Sequence, residues 1–235
     1  MIEVLNLTNT GRKIIESVSF SIENGEIVGL IGKNGAGKTT ICDMITGFLP
    51  YSGSVTVSET NANSKIGYMP EKNPLYPDLK VLEYLQFVAG IKGAEGNSAK
   101  EIAEKFDLPV SSYICCLSKE MQKKLCLAAA VINNPEVLIL DEPAEGLSPD
   151  AKASLFELIK EVSENKAVLI CATASEEIFD RIITLNNEAM LSDLDETDEL
   201  LDNSELENIL EEELLDDISE IEDAHPDNEN EEDAE

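Results

Sequence analysis

Apolar and polar positions alternate along Ile2 to Leu7 and Val18 to Ile22 as half-buried strands require, and Ser54-Val55-Thr56-Val57 and Lys65-Ile66-Gly67-Tyr68-Met69 read the same way. Together they predict an antiparallel β portion around Glu26-Ile27-Val28-Gly29-Leu30-Ile31, a run short and β-branched enough for a buried strand. From Glu71 to Ile132 the period becomes helical, with Val81, Leu85 and Val88, then Ile102 and Phe106, and with Gly90, Gly93 and Gly96 marking the break. A helical insertion over about residues 71–133 is expected. Leu117, Met121, Leu125, Ala128 and Ile132 recur at helix spacing, and Ser118 is suited to cap that helix. Beyond it, Val137 to Leu140 reads as a short apolar strand and Pro149 to Val162 as a helix with Leu155, Leu158, Ile159 and Val162 inward. Strands follow at Ala167 to Cys171 and Arg181 to Leu185. Strands alternating with helices predict an α/β fold whose parallel sheet is covered on both faces, with ligands beyond the carboxyl ends of its strands.

Chemistry is concentrated at those ends. Residues 32 to 40 read Gly-Lys-Asn-Gly-Ala-Gly-Lys-Thr-Thr, which satisfies Gly, four residues, Gly-Lys-Thr between a strand and a helix. This is a P-loop. Glycines let main-chain N–H groups turn inward, and the following helix adds positive potential, so Gly32, Asn34, Gly35, Ala36, Gly37, Lys38, Thr39 and Thr40 are expected to hold a triphosphate. Lys38 would reach its outer phosphates, and Thr39 would ligate magnesium. Asp141-Glu142-Pro143 and Ala172 to Ser175 fall at the ends of two other strands of the sheet.

Charge divides the chain. Of the 48 acidic residues, 23 lie between 186 and 235, where no Lys or Arg occurs; removing those 23 charges from the net −31 leaves −8 for residues 1–185. No basic stripe is available to displace counterions from a nucleic acid, so nucleic acid is not an expected partner. The tail, 191–235, is expected to be acidic and partly helical or disordered. Leu206, Ile209, Leu210, Leu214, Ile218 and Ile221 would share one face of a helix over 197–223. No apolar stretch approaches the roughly 18 residues of a membrane span, and Met1-Ile2-Glu3-Val4 opens no basic, apolar leader. Five cysteines, Cys42, Cys115, Cys116, Cys126 and Cys171, without CxxC spacing, suggest small core residues in a reducing cytosol rather than a disulfide framework or a zinc site.

The P-loop, Asp141-Glu142-Pro143 after a four-residue apolar strand, and Leu117-Ser118 upstream of it together resemble the ATP-binding cassette (ABC) family. Ile66-Gly67-Tyr68-Met69-Pro70-Glu71 is similar to the segment carrying the family's Q-loop, with Glu71 in place of glutamine. Leu75-Tyr76-Pro77-Asp78-Leu79 and Val81-Leu82-Glu83-Tyr84-Leu85 resemble the subgroup serving drug- and gliding-type exporters. The resemblance covers about residues 1–190 and implies a P-loop NTPase sheet with an antiparallel β portion and a helical subdomain. It further implies ATP and Mg2+ as cofactors, with Thr39, Asp141 and Glu71 at the metal. Glu142 would polarise the attacking water, Lys38 would hold the phosphates, and Ser118 would cover the ATP of a second copy. Membrane-spanning subunits and a homo- or heterodimer of ATP-binding subunits are the implied partners, with the chain cytoplasmic and peripheral to the inner face of the membrane.

Departures from the family pattern are concentrated in the switching motifs. The signature reads Leu117-Ser118-Lys119-Glu120-Met121, with Glu120 replacing a glycine whose backbone would face the γ-phosphate; its carboxylate is expected to weaken the closed dimer unless Glu120 swings aside or Lys119 compensates it. Ala174 stands where the family places histidine, and Ser148 where it places aspartate. The expected function is therefore the ATPase subunit of an export transporter that hydrolyses weakly or only with a partner. The alternatives are a non-hydrolysing, nucleotide-gated interaction module with an acidic docking tail, and a cassette without a membrane partner.

Overall fold

The computed structural model describes residues 1–10, 17–57, 66–72, 74–94 and 98–185. β1 (Ile2–Asn9), β2 (Val18–Ile22) and β4 (Tyr51–Val57) form an antiparallel sheet in the order β2-β1-β4. β3 (Ile27–Ile31), β5 (Ile66–Met69), β6 (Val137–Asp141), β7 (Ala167–Ala172) and β8 (Arg181–Thr184) form a parallel sheet ordered β5-β6-β7-β3-β8. Its helices are α1 (Lys38–Ile45), α2 (Val81–Lys92), α3 (Ser98–Lys105), α4 (Lys119–Val131) and α5 (Pro149–Val162).

β5 corrects one expectation. Its alternation suggested membership of the antiparallel portion, yet it pairs in parallel with β6, Ile66 opposite Val137 and Met69 opposite Leu140. Alternation reports a two-faced strand without saying which neighbour it takes. Gly67 lets β5 lie close under α4, where a Cβ would stand 2.5 Å from the Ala130 carbonyl oxygen.

Side-chain parity sorts the parallel strands between two apolar layers. Leu138, Leu140, Val168 and Ile170 face a layer built with α2, α3, α4 and α5. Val137, Ile139, Leu169 and Cys171 face a second layer with α1 and the antiparallel strands. Successive residues of a strand point to opposite faces, so Asp141 follows Val137 and Ile139 toward α1. In α4 every residue from Leu125 to Val131 is buried, whereas Met121, expected inward, is 39% exposed at the first turn. On α2, Val81, Tyr84, Leu85 and Ala89 are buried, while Phe87 and Ile91 stand 50% and 70% exposed. The acidic tail and its expected helix over 197–223 lie outside the described residues.

Candidate functional site

β3 ends at Ile31, and the chain turns through the P-loop into α1. Gly35 and Gly37 have φ of +83° and +94°, in the left-handed region that glycine enters without steric cost. Gly37 caps α1 with no side chain, so the first N–H groups of the helix remain available to a ligand. They open on a cavity of about 350 Å³ lined by Asn34, Gly35, Gly37, Lys38, Thr39 and Thr40, with Glu71, Glu142 and Glu145 from other segments. Gly32 and Ala36 shape the loop without lining the cavity; a Cβ on Gly32 would sit 2.9 Å from that of Ala36.

Lys38 is buried to 6% exposure and folds back on its own loop. Its Nζ donates to the carbonyls of Gly32 at 2.8 Å and Lys33 at 3.3 Å, and it pairs with Glu142 Oε1 at 3.3 Å. The Thr39 hydroxyl donates to Asp141 Oδ2 at 2.6 Å, while Asp141 Oδ1, fully buried, has no hydrogen-bond partner. Burial pushes the Asp141 carboxyl above its ordinary range, with the Thr39 bond opposing. Burial likewise raises Glu142, and Lys38 opposes. Glu142 is held with φ of +45°, its N–H donating to the Cys171 carbonyl at 3.1 Å. A non-glycine residue in that region is uncommon and persists where neighbouring structure over-determines it.

Two site residues escaped the sequence reading. Glu145 lines the cavity. Lys123, on α4, is 7% exposed and donates to the Glu142 carbonyl at 3.1 Å and the Glu71 carbonyl at 3.4 Å. It therefore links the Q-loop-like segment, the end of β6 and the helix that starts at the signature. A signal existed: Lys123 lies three and four residues before Cys126 and Leu127, on the inward face.

Ser118 does not join this cavity. It is exposed at the start of α4, where its hydroxyl accepts the Met121 N–H at 3.2 Å. Glu120 pairs with Lys124, one turn along α4, at 2.8 Å. Ser148 caps α5 by accepting the Ala151 N–H at 3.3 Å. Ala174 is exposed, and beside it Thr173 and Glu176 border a cleft of about 220 Å³ that also touches Asn34 and Glu142.

Charge limits what the cavity accepts. Glu71, Glu142 and Glu145 line it and Asp141 lies behind Thr39, four carboxylates against the ammonium groups of Lys38 and Lys123, so the excess negative charge disfavours a bare polyphosphate. Thr39 and Asp141 offer the hard oxygen donors that Mg2+ takes, and the unpartnered Asp141 Oδ1 is suited to a water of its shell.

A glycine loop between strand and helix, with a buried lysine facing strand-end carboxylates, defines a P-loop nucleotide-binding protein. The family model described as ABC transporter matches residues 15–145, and one for an AAA domain matches 117–180. An uncharacterized ABC transporter ATP-binding protein of Methanocaldococcus jannaschii is 38% identical over 200 residues, covering 78% of this chain and 73% of that protein. Cholesterol transporter ABCA5 of Rattus norvegicus is 31% identical over 179 residues, 70% of this chain but 11% of the transporter. Among solved structures, the ATP-binding subunit of an ABC transporter has a TM-score of 0.71 at 28% identity, covering 80% of this chain and 86% of that one. A dimeric cassette in a post-hydrolysis state with ADP and Pi shares the fold, with a TM-score of 0.69 at 24% identity over 79% of this chain and 94% of that one. The chain belongs to the ABC transporter family as an ATP-binding subunit, an ABC-type ATPase. Among the described residues no helix is long and apolar enough to cross a membrane.

Proposed function

We propose that this chain binds Mg-ATP and powers export through separate membrane-spanning subunits, hydrolysing ATP weakly alone and faster when a second cassette completes the site. The observation that carries this reading is the meeting of Lys38, Thr39 and Glu142 at one cavity, with buried Asp141 accepting the Thr39 hydroxyl behind its wall. Thr39 and Asp141 would hold Mg2+, with Glu71 at the cavity wall. Held there, the metal would supply charge neutralisation at phosphate oxygens during phosphoryl transfer.

Lys38 and Glu142 act as a pair. Without nucleotide, Lys38 holds Glu142 and two loop carbonyls. A triphosphate is the stronger electrostatic partner for the ammonium, so its arrival draws Lys38 away and frees Glu142. Losing that cation removes the influence that opposes burial, and Glu142 becomes more basic. It then orients the attacking water and accepts its proton. Gly35, Gly37, Thr39 and Thr40 hold the phosphates through main chain, and Lys123 fixes the backbone of Glu142 relative to α4.

Exposed Ser118 supports a role across a dimer interface, over the nucleotide of a partner cassette. Tyr76, Phe87, Ile91 and Tyr113, exposed on the helical portion at 49–70%, supply an apolar face suited to a membrane subunit. We place the chain at the cytoplasmic face of the membrane through that contact. Residues 1–190 form the cassette, with a helical subdomain over about 71–133, and 191–235 are an appendage to it. Glu120 and Ala174 favour a second reading, a nucleotide-gated module that binds without turning over.

Equilibrium ATP binding with and without Mg2+, in the native chain and in Lys38→Ala, tests the proposal. Magnesium-dependent binding lost in the variant is expected, and unchanged affinity overturns the assignment. Turnover measured with co-purified membrane subunits separates the two readings.

A further inference from the structure

Beneath the P-loop, three heteroatoms meet in the apolar layer between the parallel sheet and α1. Cys42 Sγ lies 3.1 Å from Cys171 Sγ, and ligand atoms of these two residues and Asp141 all fall within 4.8 Å of one another. All three residues are 0% exposed. Their meeting follows from the fold. Asp141 and Cys171 are register partners on β6 and β7 and point to the same side of the sheet, and Cys42 sits one turn into α1 facing them. Asp141 Oδ2 is engaged by Thr39, whereas Oδ1 is buried without a partner, an arrangement that costs free energy unless something occupies it.

We propose that Cys42, Cys171 and Asp141 form a binding site for a thiophilic divalent cation of the Zn2+ or Cd2+ class. Two sulfurs and one carboxylate oxygen are a donor set for a soft or borderline d10 ion rather than for Mg2+, which takes oxygen. Zn–S bonds of about 2.3 Å at tetrahedral angles place two sulfurs about 3.8 Å apart, so Cys42 and Cys171 need separate by only about 0.7 Å. Ligation by both thiolates and Asp141 offsets the dication inside the apolar layer. Hydrogen bonding to Cys171 and burial push the Cys42 thiol well above its ordinary range, so binding releases protons from the sulfurs to solvent. Thr39 gives the approach, since it borders the P-loop cavity and touches Asp141. A cation held on Asp141 withdraws that carboxylate from magnesium, which makes the cluster inhibitory; this consequence rests on the magnesium role proposed above, and the site itself does not.

The test uses the full chain carrying Cys115→Ser and Cys116→Ser, which removes the exposed vicinal pair whose sulfurs lie 3.7 Å apart. This protein, reduced and metal-free, is titrated with Cd2+ in the absence of nucleotide. Binding is followed by the ultraviolet charge-transfer absorption of cadmium–thiolate bonds, a band that the many carboxylates cannot produce. A saturable band at a single equivalent is expected. Adding Cys42→Ala or Cys171→Ala should weaken Cd2+ binding at least about tenfold, and Asp141→Asn should do so while keeping a thiolate band. Absence of a saturable band in the starting protein overturns the proposal without recourse to any core variant. A band of undiminished affinity after both sulfur substitutions overturns it as well, and unchanged affinity in Asp141→Asn overturns the carboxylate ligand.

Discussion

Replacing Glu120 should move stability and turnover in opposite directions. Glu120 occupies the first turn of α4, pairs with Lys124 at 2.8 Å, and carries a side chain that is 37% exposed. Such an i,i+4 pair contributes about 0.2–0.5 kcal/mol, and a carboxylate at a helix N-terminus about 0.3–1 kcal/mol. Glycine adds about 1 kcal/mol of helix cost. Glu120→Gly should therefore destabilise the fold by about 2 kcal/mol, lowering Tm by roughly 4–8 °C in a chain of this size. Glu120→Gln, which removes the charge and keeps helix propensity, should cost about 1 kcal/mol and roughly 2–4 °C. For activity the sign reverses. If this signature covers a γ-phosphate, a carboxylate about 4 Å away opposes it by about 4 kcal/mol at an effective dielectric of 20. Lys124 offsets part of that field. Retaining half leaves about 2 kcal/mol, or roughly thirtyfold in rate. Differential scanning fluorimetry and steady-state phosphate release, measured on both variants with the partner cassette present, supply the two readouts. Unchanged turnover in Glu120→Gln would refute the electrostatic reasoning. A Tm loss no larger in Glu120→Gly than in Glu120→Gln would refute the placement of this residue within the helix.

Glu142→Gln should keep nucleotide binding and stop turnover, and equal phosphate release from both proteins would assign the base elsewhere. Ala174→His restores a donor where the chain has none, and a gain approaching the factor of about 100 that one preorganised donor typically supplies is expected in single-turnover assays. Lys92, donating to the Ala129 and Ala130 carbonyls, has its pKa lowered to about 8 by burial. The unfolded chain then binds more protons above that value, so this lysine raises stability as pH climbs from about 8 toward its ordinary value. Thermal melts should show the native-minus-Lys92→Met difference in Tm growing over that window, and a flat difference would contradict the burial. Removing residues 191–235 should leave ATP affinity unchanged, as judged by calorimetry, and a large loss would contradict the proposed division of the chain.

Local pattern made much of the cassette legible. The predicted helix over Pro149 to Val162 coincides with α5, and the strand at Ala167 was placed to within one residue, because each segment has one burial rule and keeps it along its length. Ser118 and Ser148 illustrate the limit. Both occupy motif positions, and both cap helices in the folded chain, a role their own side chains fill whether or not a partner cassette is present. Lys123 escaped notice because a lysine on an inward helix face looks like a flaw in the pattern until the carbonyls of Glu71 and Glu142 are seen to receive it.

By itself, the order of residues determined the P-loop, the succession of strands and helices, the acidic composition of the tail, and the departures at Glu120, Ser148 and Ala174. Each of these is written within a few neighbouring residues, where periodicity, glycine content and charge act directly on the backbone. Only the tertiary structure decided that β5 joins the parallel sheet, that Lys38 rests on Glu142, that Thr39 meets Asp141 across 102 residues, and that Cys42 meets Cys171 across 129. Those contacts depend on strand order and on which face a side chain takes. Both are settled by packing two apolar layers against one sheet, and local sequence, which can mark an inward face, does not say which distant segment lies opposite it.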